Sequence, residues 1–341
     1  MKALRLREWG GRPLLEEVPE PIPGEGEVLV EVAACGVGLT VLNCMRGDLD
    51  DDPSHLPRVP GHELVGTITA AGPGVDRGRV GERVAAYFYL FCGTCPGCLA
   101  GSESLCRNLA GWVGVHRDGG YAQRAVLPAR NALALPEGLD PVLATVVPDA
   151  VATPVHVSRL ARIQPGDRVA VIAGAGGVGV HMVQVARAYG ARVAGLDVEP
   201  AKLAFLAQQL GVAAVDSSSF ESIDLPAAWG GRADVVVDLL GRVESLRWGL
   251  EVLDLGGRLV TLTTFRDVVL PCSPRDLVFA QLSVLGSRYA SRYEVHLAAR
   301  LVAEGRVRPV VSRRETLDTV ESIHEDLRAG RLLGRGALVL G

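Results

Sequence analysis

The sequence predicts an α/β protein that combines a β-barrel with a doubly wound parallel sheet. Its 341 residues are more than one hydrophobic core usually serves, so we expect two domains. Residues 1–148 contain short strand patterns separated by glycines and prolines, as a barrel requires. Residues 149–287 alternate buried strands with amphipathic helices, which indicates a doubly wound domain.

The first 148 residues supply the strands of the predicted barrel. Strand patterns occur in "EVLVEVAACGV", "HELVGTITAAG" and "GGYAQRAVLP". Between the first two lies "GDLDDDPSH", an acidic segment with a proline that we expect to form a solvated surface turn.

The remaining residues supply parallel strands and helices. The apolar run "RVAVIA" is typical of a parallel strand covered on both faces, and "RVAGLD" predicts the next strand. Helices are predicted from about Val178 to Tyr189 and over "PAKLAFLAQQLG", which ends in a glycine. Later strands are predicted in "ADVVVDLLG", "GGRLVTLTT" and "LSVLGS". Residues 288–341 add two helical patterns and a closing strand, "GRGALVLG".

Composition excludes several classes of partner. A net charge of −4 gives no reason to expect nucleic acid. No stretch reaches the ~20 uninterrupted apolar residues of a membrane helix. The N-terminal "MKALRLREWGG" lacks the apolar core of a signal peptide, so we expect a cytoplasmic protein.

The segment "GAGGVG" predicts a dinucleotide site. It has the G-x-G-x-x-G spacing, follows a strand and opens a helix, whose N-terminus offers free N–H groups to a pyrophosphate. Asp197 ends the next strand, where a carboxylate binds the adenosine ribose hydroxyls and repels a 2′-phosphate, so NAD is expected rather than NADP. Lys202 either reaches the same ribose or is a surface lysine. The loop residues assigned to the cofactor are Gly174, Gly176, Gly177, Val178 and Gly179.

Four of the seven cysteines predict a structural zinc site within residues 92–106. The segment "CGTCPGCLAGSESLC" has the spacing C-x2-C-x2-C-x7-C, which lets one loop surround a tetrahedral Zn²⁺. Four thiolates leave no open position, so this zinc would stabilise the loop; an iron–sulfur cluster is the rival interpretation. The predicted ligands are Cys92, Cys95, Cys98 and Cys106. The other three, Cys35, Cys44 and Cys272, are expected in the core.

Over nearly its whole length, the chain resembles the zinc-type medium-chain dehydrogenase/reductase family, the relatives of alcohol dehydrogenase. The resemblance rests on "PGHELVGTITAAGPGV", the cysteine lobe, "GAGGVG" and their order. It implies a GroES-like β-barrel catalytic domain from residues 1–148 and 288–341, with a Rossmann NAD-binding domain, residues 149–287, inserted. It also implies hydride transfer between a nicotinamide and a small alcohol or carbonyl compound, and a homo-oligomer, dimer or tetramer.

The family's catalytic zinc ligands are only partly present. His62 and Glu63 match the family histidine and glutamate, whereas one ligand cysteine falls at Gly38 and the other at Asp149. The resemblance therefore allows a rebuilt zinc site of His62, Glu63 and Asp149. The alternatives are that Asp149 caps a helix and that His62 is a hydrogen-bonded histidine without a metal.

The resemblance also implies how the substrate proton and the cofactor are held. Thr40 matches the hydroxyl that passes a proton to or from the substrate oxygen, and Thr153 matches a threonine that contacts the nicotinamide carboxamide. Asn43 stands where many relatives have a histidine that relays the proton to solvent.

Three functions remain open at this stage. The first is an alcohol dehydrogenase or carbonyl reductase with two zinc ions, in which the second ion acts as a Lewis acid. The second is a metal-independent reductase of activated C=C bonds, as in acryloyl-CoA-type relatives, with hydrogen bonds that stabilise an enolate. The third is a nucleotide-binding protein without turnover.

Overall fold

A computed structural model describes residues 1–223, 225, 229–265 and 267–340 of the chain. The described residues form two compact units. Unit 1 comprises Met1–Asp149, Ala290–Glu304 and Pro309–Gly341, and unit 2 comprises Ala150–Tyr289 and Gly305–Arg308. No helix in these described ranges is long and apolar enough to cross a membrane.

The strands and α-helices of the described residues have the following bounds. The strands are β1 Lys2–Arg5, β2 Leu14–Glu17, β3 Glu27–Val37, β4 Glu63–Ala71, β5 Arg83–Ala86, β6 Arg124–Pro128, β7 Ala132–Ala134, β8 Arg168–Ile172, β9 Arg192–Asp197, β10 Ala213–Asp216, β11 Ala233–Asp238, β12 Leu253–Thr261, β13 Ser283–Gly286, β14 Val311–Glu315 and β15 Arg335–Val339. The α-helices are α1 Leu39–Arg46, α2 Pro96–Leu99, α3 Pro141–Ala144, α4 Ala152–Leu160, α5 Gly179–Ala188, α6 Pro200–Gln208, α7 Val243–Glu251, α8 Pro274–Ala280, α9 Arg292–Ala303 and α10 Glu321–Arg328.

Unit 1 is built on a mainly antiparallel sheet that mixes strands from both ends of the chain. Its order is β14-β15-β3-β4-β5-β7, and β6 also pairs with β3. The C-terminal strand β15 therefore lies between β14 and β3, inside the sheet. Large side chains such as Tyr87, Tyr121 and Leu64 are fully buried in this unit.

Unit 2 contains a parallel sheet of the doubly wound type. The strand order is β10-β9-β8-β11-β12-β13, and every neighbouring pair is parallel. The chain adds strands outward from β8 to β10 on one side and then from β11 to β13 on the other, so the strand order reverses between β8 and β11. Its central strands read as apolar runs because both faces are covered, so Ile172, Leu196 and Leu259 are fully buried. This topology places nucleotide sites at the carboxyl ends of the strands.

Two details differ from the sequence-based expectations. The segment Gly305–Arg308 belongs to unit 2, because Arg306 donates to the Ala188 carbonyl and the Arg308 backbone exchanges hydrogen bonds with Gln184. Cys272 is partly exposed in the loop before α8, so its assignment to the core was wrong; Cys35 and Cys44 are buried as predicted.

Candidate active site

A buried polar cluster lies where β3 pairs with β4 and β15. The register places Gly36 opposite Glu63 on β4, and Val37 opposite Gly336 on β15. Gly36 provides the space for the glutamate, since a Cβ there would lie 2.0 Å from Glu63 Oε2. Arg335, which begins β15, consequently lies next to the end of β3.

The three residues that were predicted as catalytic zinc ligands lie together in this cluster. His62 Nε2 is 3.9 Å from Glu63 Oε1 and 3.6 Å from Asp149 Oδ2, and all three side chains are buried. One donor atom from each lies within 4.8 Å of the other two. His62 Nε2 and Glu63 Oε2 have no hydrogen-bond partner among the described residues. Asp149 lies in a π-helical turn, Val147–Val151, just before α4.

A fourth side chain, the guanidinium of Arg335, occupies the centre of the cluster. Its Nη2 donates to Glu63 Oε1 at 2.6 Å and to Asp149 Oδ2 at 2.9 Å. These are also the two oxygens that lie 3.9 and 3.6 Å from His62 Nε2, so a zinc ion bound through them would lie against the guanidinium. The donor set alone suits zinc, but the set together with Arg335 does not, so the second zinc remains a prediction that this contact opposes.

Burial sets the electrostatics of Glu63. Complete desolvation raises the pKa of Glu63 to about 7, although the neighbouring Arg335 charge acts in the opposite direction. The Asp149 carboxylate adds to the upward shift. Two carboxyl groups and one guanidinium share this pocket.

Thr40 lies in the first turn of α1, close in sequence to this cluster. Gly38 is the N-cap residue of that helix and is buried, while Thr40 is half-buried. Asn43, one turn further on, accepts a hydrogen bond from Arg46 Nη2 at 2.6 Å. The Thr40 hydroxyl has no hydrogen-bond partner within the described ranges, which leaves it free to bind a substrate oxygen.

The four predicted zinc-binding sulfurs converge in unit 1. The Sγ–Sγ distances are 3.9 Å for Cys92–Cys98, 3.5 Å for Cys95–Cys98 and 3.9 Å for Cys95–Cys106. Sulfurs around one tetrahedral zinc lie about 3.8 Å apart, given Zn–S bonds of about 2.3 Å. Backbone N–H groups of Thr94 and Cys95 donate to Cys92 Sγ and lower its pKa to about 5. The geometry and the thiolate both fit zinc.

The glycine-rich loop of unit 2 joins β8 to α5. A Cβ on Gly174 would lie 2.9 Å from the Gly195 Cα, and one on Gly179 would lie 2.0 Å from the Ala173 carbonyl oxygen. No side chain fits at either position, because the helix packs closely against the strand. The N–H groups of Gly177 and Val178 donate to no described residue. They can therefore bind a phosphate at the helix N-terminus.

The acidic residue of the predicted dinucleotide site lies beside this loop. Asp197 ends β9, and its Oδ2 accepts the Ala175 N–H at 3.2 Å while Oδ1 accepts the Val198 N–H at 2.9 Å. These bonds hold the carboxylate in one orientation. Lys202 is half-buried in α6, and Thr153 is buried in α4.

A second group of possible metal ligands lies in the acidic loop region of unit 1. His55 Nδ1 contacts Asp50 Oδ2 at 2.5 Å, and His116 Nε2 is 3.8 Å from the same oxygen. The His116 Nδ1 accepts the Trp112 N–H at 3.2 Å. The proton of the neutral ring is then on Nε2, which cannot bind a metal, so we assign no ion to this group.

Sequence reasoning missed Arg335. It appears only as part of the closing strand "GRGALVLG", with no motif around it. One signal was present: a glycine replaces the expected cysteine at position 38, and a buried space left by a missing side chain must be filled by another group.

Known proteins resemble this chain over its whole length. The family described as "Alcohol dehydrogenase GroES-like domain" matches residues 24–137, and "Zinc-binding dehydrogenase" matches residues 177–304. An alcohol dehydrogenase of Moraxella sp. (strain TAE123) is 34% identical and covers 98% of each chain. The structure of a thermostable alcohol dehydrogenase from Pyrobaculum aerophilum has a TM-score of 0.89 at 30% identity and covers 99% of each chain. An acryloyl-coenzyme A reductase of Sulfurisphaera tokodaii is 28% identical over 94% of each chain.

These matches settle the predicted fold class and the predicted family. The two-domain fold with a GroES-like part and a Rossmann-like part is confirmed, and an oxidoreductase is favoured over a nucleotide-binding protein without turnover. The chain belongs to the zinc-type medium-chain dehydrogenase/reductase family of NAD(P)-dependent alcohol and carbonyl oxidoreductases.

Proposed function

We propose that this enzyme interconverts a small alcohol and its carbonyl compound, with NAD rather than NADP as the hydride carrier. The observation that carries the proposal is the glycine-rich loop with Asp197 held beside it, in a chain that is similar to alcohol dehydrogenases from end to end. A fixed carboxylate at the end of β9 can bind two ribose hydroxyls and repels a 2′-phosphate.

Each residue of the proposed site has a defined task. The free N–H groups of Gly177 and Val178 bind the pyrophosphate, and Thr153 binds the nicotinamide carboxamide. A nicotinamide held by these residues would supply the hydride for reduction, or accept it during oxidation, at the substrate carbon. The Thr40 hydroxyl gives a proton to the carbonyl oxygen during reduction, or takes one from the alcohol during oxidation. After reduction the Thr40 oxygen takes a proton from solvent, and after oxidation it releases one to solvent.

Kinetics of a Thr40→Val variant test this role. Valine has nearly the same shape but no hydroxyl, so kcat for carbonyl reduction should fall by about 10² or more while NADH affinity stays unchanged. The matched control is Thr69→Val, at an exposed threonine of β4, which should keep full activity. Unchanged kcat in Thr40→Val would remove this residue from proton transfer.

A second candidate function is reduction of activated C=C bonds. The observation that favours it is the absence of a thiolate at Gly38, combined with similarity to an acryloyl-coenzyme A reductase. In that reaction hydride goes to the β-carbon and a proton goes to the α-carbon, and the enolate oxygen accepts hydrogen bonds. NADH oxidation assayed with an aldehyde, a ketone, an enone and an enoyl thioester separates the two functions.

We further propose that Cys92, Cys95, Cys98 and Cys106 hold one structural zinc. A Cys95→Ser variant should lose this zinc, and the segment of residues 92–106 should then be cleaved rapidly by protease, because the loop has few apolar residues to hold it folded. Cys272→Ser, a change at a partly exposed cysteine outside the lobe, should leave zinc content and cleavage unchanged.

A homo-oligomer, either dimer or tetramer, is part of the same proposal. Among the described residues, strand β13 is one of the two edge strands of the parallel sheet, and α8, which precedes it in the chain, exposes Val278 and Phe279, each 74% accessible. Exposed apolar side chains beside an open strand edge favour association between copies of one chain.

A further inference from the structure

The candidate catalytic cluster contains a positive charge supplied by the protein itself, the guanidinium of Arg335. Arg335 Nη2 donates one hydrogen bond to each of the two carboxylates, at 2.6 Å to Glu63 and 2.9 Å to Asp149. The arginine is 4% exposed and Glu63 is fully buried, so water cannot replace these bonds without large rearrangement. Buried carboxylates need such a partner, because an uncompensated buried charge is costly.

The absence of a side chain at Gly38 provides the space for this arginine. A Cβ on Gly38 would lie 1.9 Å from Arg335 Nη1 and 2.6 Å from Cζ, so any side chain at position 38 overlaps the guanidinium. The β3–β15 register brings the two residues together, because Val37 pairs with Gly336. Glycine at position 38 and arginine at position 335 are therefore compatible with each other, whereas a ligand cysteine and this arginine position are not.

A divalent ion at the same place would conflict with the guanidinium. Zinc binds carboxylate oxygens at about 2.0–2.2 Å. An ion bound to Glu63 Oε1 and Asp149 Oδ2 would thus press against the Nη2 group that already contacts both oxygens. The two cations would repel each other across a buried, low-dielectric space. Two carboxylates carry two negative charges, and the arginine leaves only one for a divalent ion to neutralise.

We infer that Arg335 takes the place of a catalytic metal ion, and that this enzyme holds zinc only at its four-cysteine lobe. Arg335 is a positioning residue: it fixes Glu63 and Asp149, and it provides the permanent positive charge of the site. The consequence for catalysis rests on the proposed function, but the metal content does not. Without a Lewis acid, a carbonyl oxygen is polarised and an alcohol is deprotonated only through hydrogen bonds, such as that of the Thr40 hydroxyl, in both directions of the reaction.

Metal analysis of the intact enzyme tests the inference. The protein is purified in zinc-containing buffer, separated from free metal by gel filtration, and its zinc content per chain is measured. We expect one zinc, with no additional cobalt bound when Co²⁺ is added. Two zinc ions per chain, the second of which disappears in a His62→Ala variant, would overturn the inference.

Removal of the guanidinium gives the opposite test. In Arg335→Met the two carboxylates lose the guanidinium, so His62, Glu63 and Asp149 should bind one added Co²⁺ per chain, seen as a gain of one metal equivalent and a higher melting temperature. A folded Arg335→Met enzyme that still binds a single ion would contradict the claim that Arg335 excludes the second.

Arg335→Lys keeps a cation and should stay at one zinc, which covers the case in which the methionine variant does not fold. The matched control is Arg331→Met, at an exposed arginine paired with Asp326, which should leave the metal count unchanged.

The readouts distinguish this inference from the proposed function. If no carbonyl compound is reduced but the enzyme carries one zinc, the reaction assignment fails and the metal assignment stands. If carbonyl reduction is observed in an enzyme with two zinc ions, only the metal assignment fails.

Discussion

At the scale of single residues, Gly38 and Arg335 form a matched pair. The glycine has no side chain, and the guanidinium uses the space directly above its Cα. Removing the arginine would leave two buried carboxylates without a cation, which costs more than the ion pair contributes in the intact protein. Substituting Gly38 and Arg335 together should therefore destabilise the protein less than the sum of the two single substitutions.

Gly38→Ala should destabilise the enzyme by ~1–3 kcal/mol, the usual cost of forcing extra atoms into a packed site. The added methyl would overlap Arg335 Nη1, and the arginine would have to move away from Glu63 or Asp149. Urea unfolding measures the effect. Gly286→Ala is the matched control, because a Cβ there meets no atom within 4 Å. Equal unfolding midpoints for the two variants would mean that the guanidinium does not depend on the space at Gly38.

Asp197→Asn should reduce the preference for NADH over NADPH by about tenfold or more. The change removes the charge that repels a 2′-phosphate, which is a cost of about 1–4 kcal/mol for close charges at a protein surface. The single amide oxygen can still accept one of the two N–H bonds, from Ala175 or from Val198. Ratios of kcat/KM for the two cofactors measure the preference, and Glu251→Gln, at an exposed glutamate of unit 2, serves as the control. An unchanged ratio would assign cofactor choice to another residue.

At the same scale, the sequence supports prediction only where neighbours in the chain are neighbours in the site. The cysteine lobe and the glycine-rich loop are local motifs, and their spacing carries their geometry. Arg335 contacts Glu63 across 272 positions and Asp149 across 186. Such a contact depends on the strand register, and no spacing rule in a single sequence contains that register.

At the scale of secondary-structure elements, the sequence was informative for the parallel strands and less so for the shortest segments. The apolar run "RVAVIA" became β8 and "RVAGLD" became β9, because strands covered on both faces must be apolar. The π-helical turn Val147–Val151 had no signal that distinguishes it from the helix that follows. Its effect is to place Asp149 in the polar cluster of unit 1.

Helix α10 contains a buried histidine that contacts Tyr121 of unit 1. His324 is fully buried; its Nε2 lies 3.0 Å from the Tyr121 hydroxyl, and its Nδ1 lies 2.9 Å from Glu321 Oε2. Burial lowers the pKa of His324 more than the Glu321 carboxylate raises it, and Arg328 adds to the lowering. The folded protein therefore keeps this ring neutral at a pH where the unfolded chain protonates it.

The sign of the pH effect follows from that difference. The unfolded ring binds a proton as the pH drops below about 6.5, so the free energy of unfolding should fall as pH decreases through this range. The contribution of the neutral His324 ring to the free energy of unfolding should be fully present at pH 8. In His324→Gln the loss of hydrogen bonding lowers stability at pH 8, but the further fall below pH 6.5 should be smaller than in the unaltered enzyme. Urea unfolding at a series of pH values measures both, and parallel pH profiles would contradict the prediction.

At the scale of the whole molecule, the proposed assembly involves the β13 edge of the unit 2 sheet. If β13 and α8 form the contact between copies, Phe279→Ser should lower the molar mass seen by light scattering, because a 74% exposed aromatic ring would lose its partner surface. Ile22→Ser is the matched control, since Ile22 is 88% exposed but lies in unit 1. The same mass for both variants would place the contact elsewhere.

The position of β15 inside the sheet of unit 1 has a consequence for how the protein is made. Glu63 and Asp149 leave the ribosome long before Arg335, which follows them by 272 and 186 residues. Until that last strand is synthesised, Glu63 and Asp149 lack the Arg335 guanidinium, and one edge of β3 lacks its partner strand. The segment of the parallel sheet is thus translated before the sheet of unit 1 has all of its strands, and the exposed edge of β3 is open to pairing with other chains in this interval.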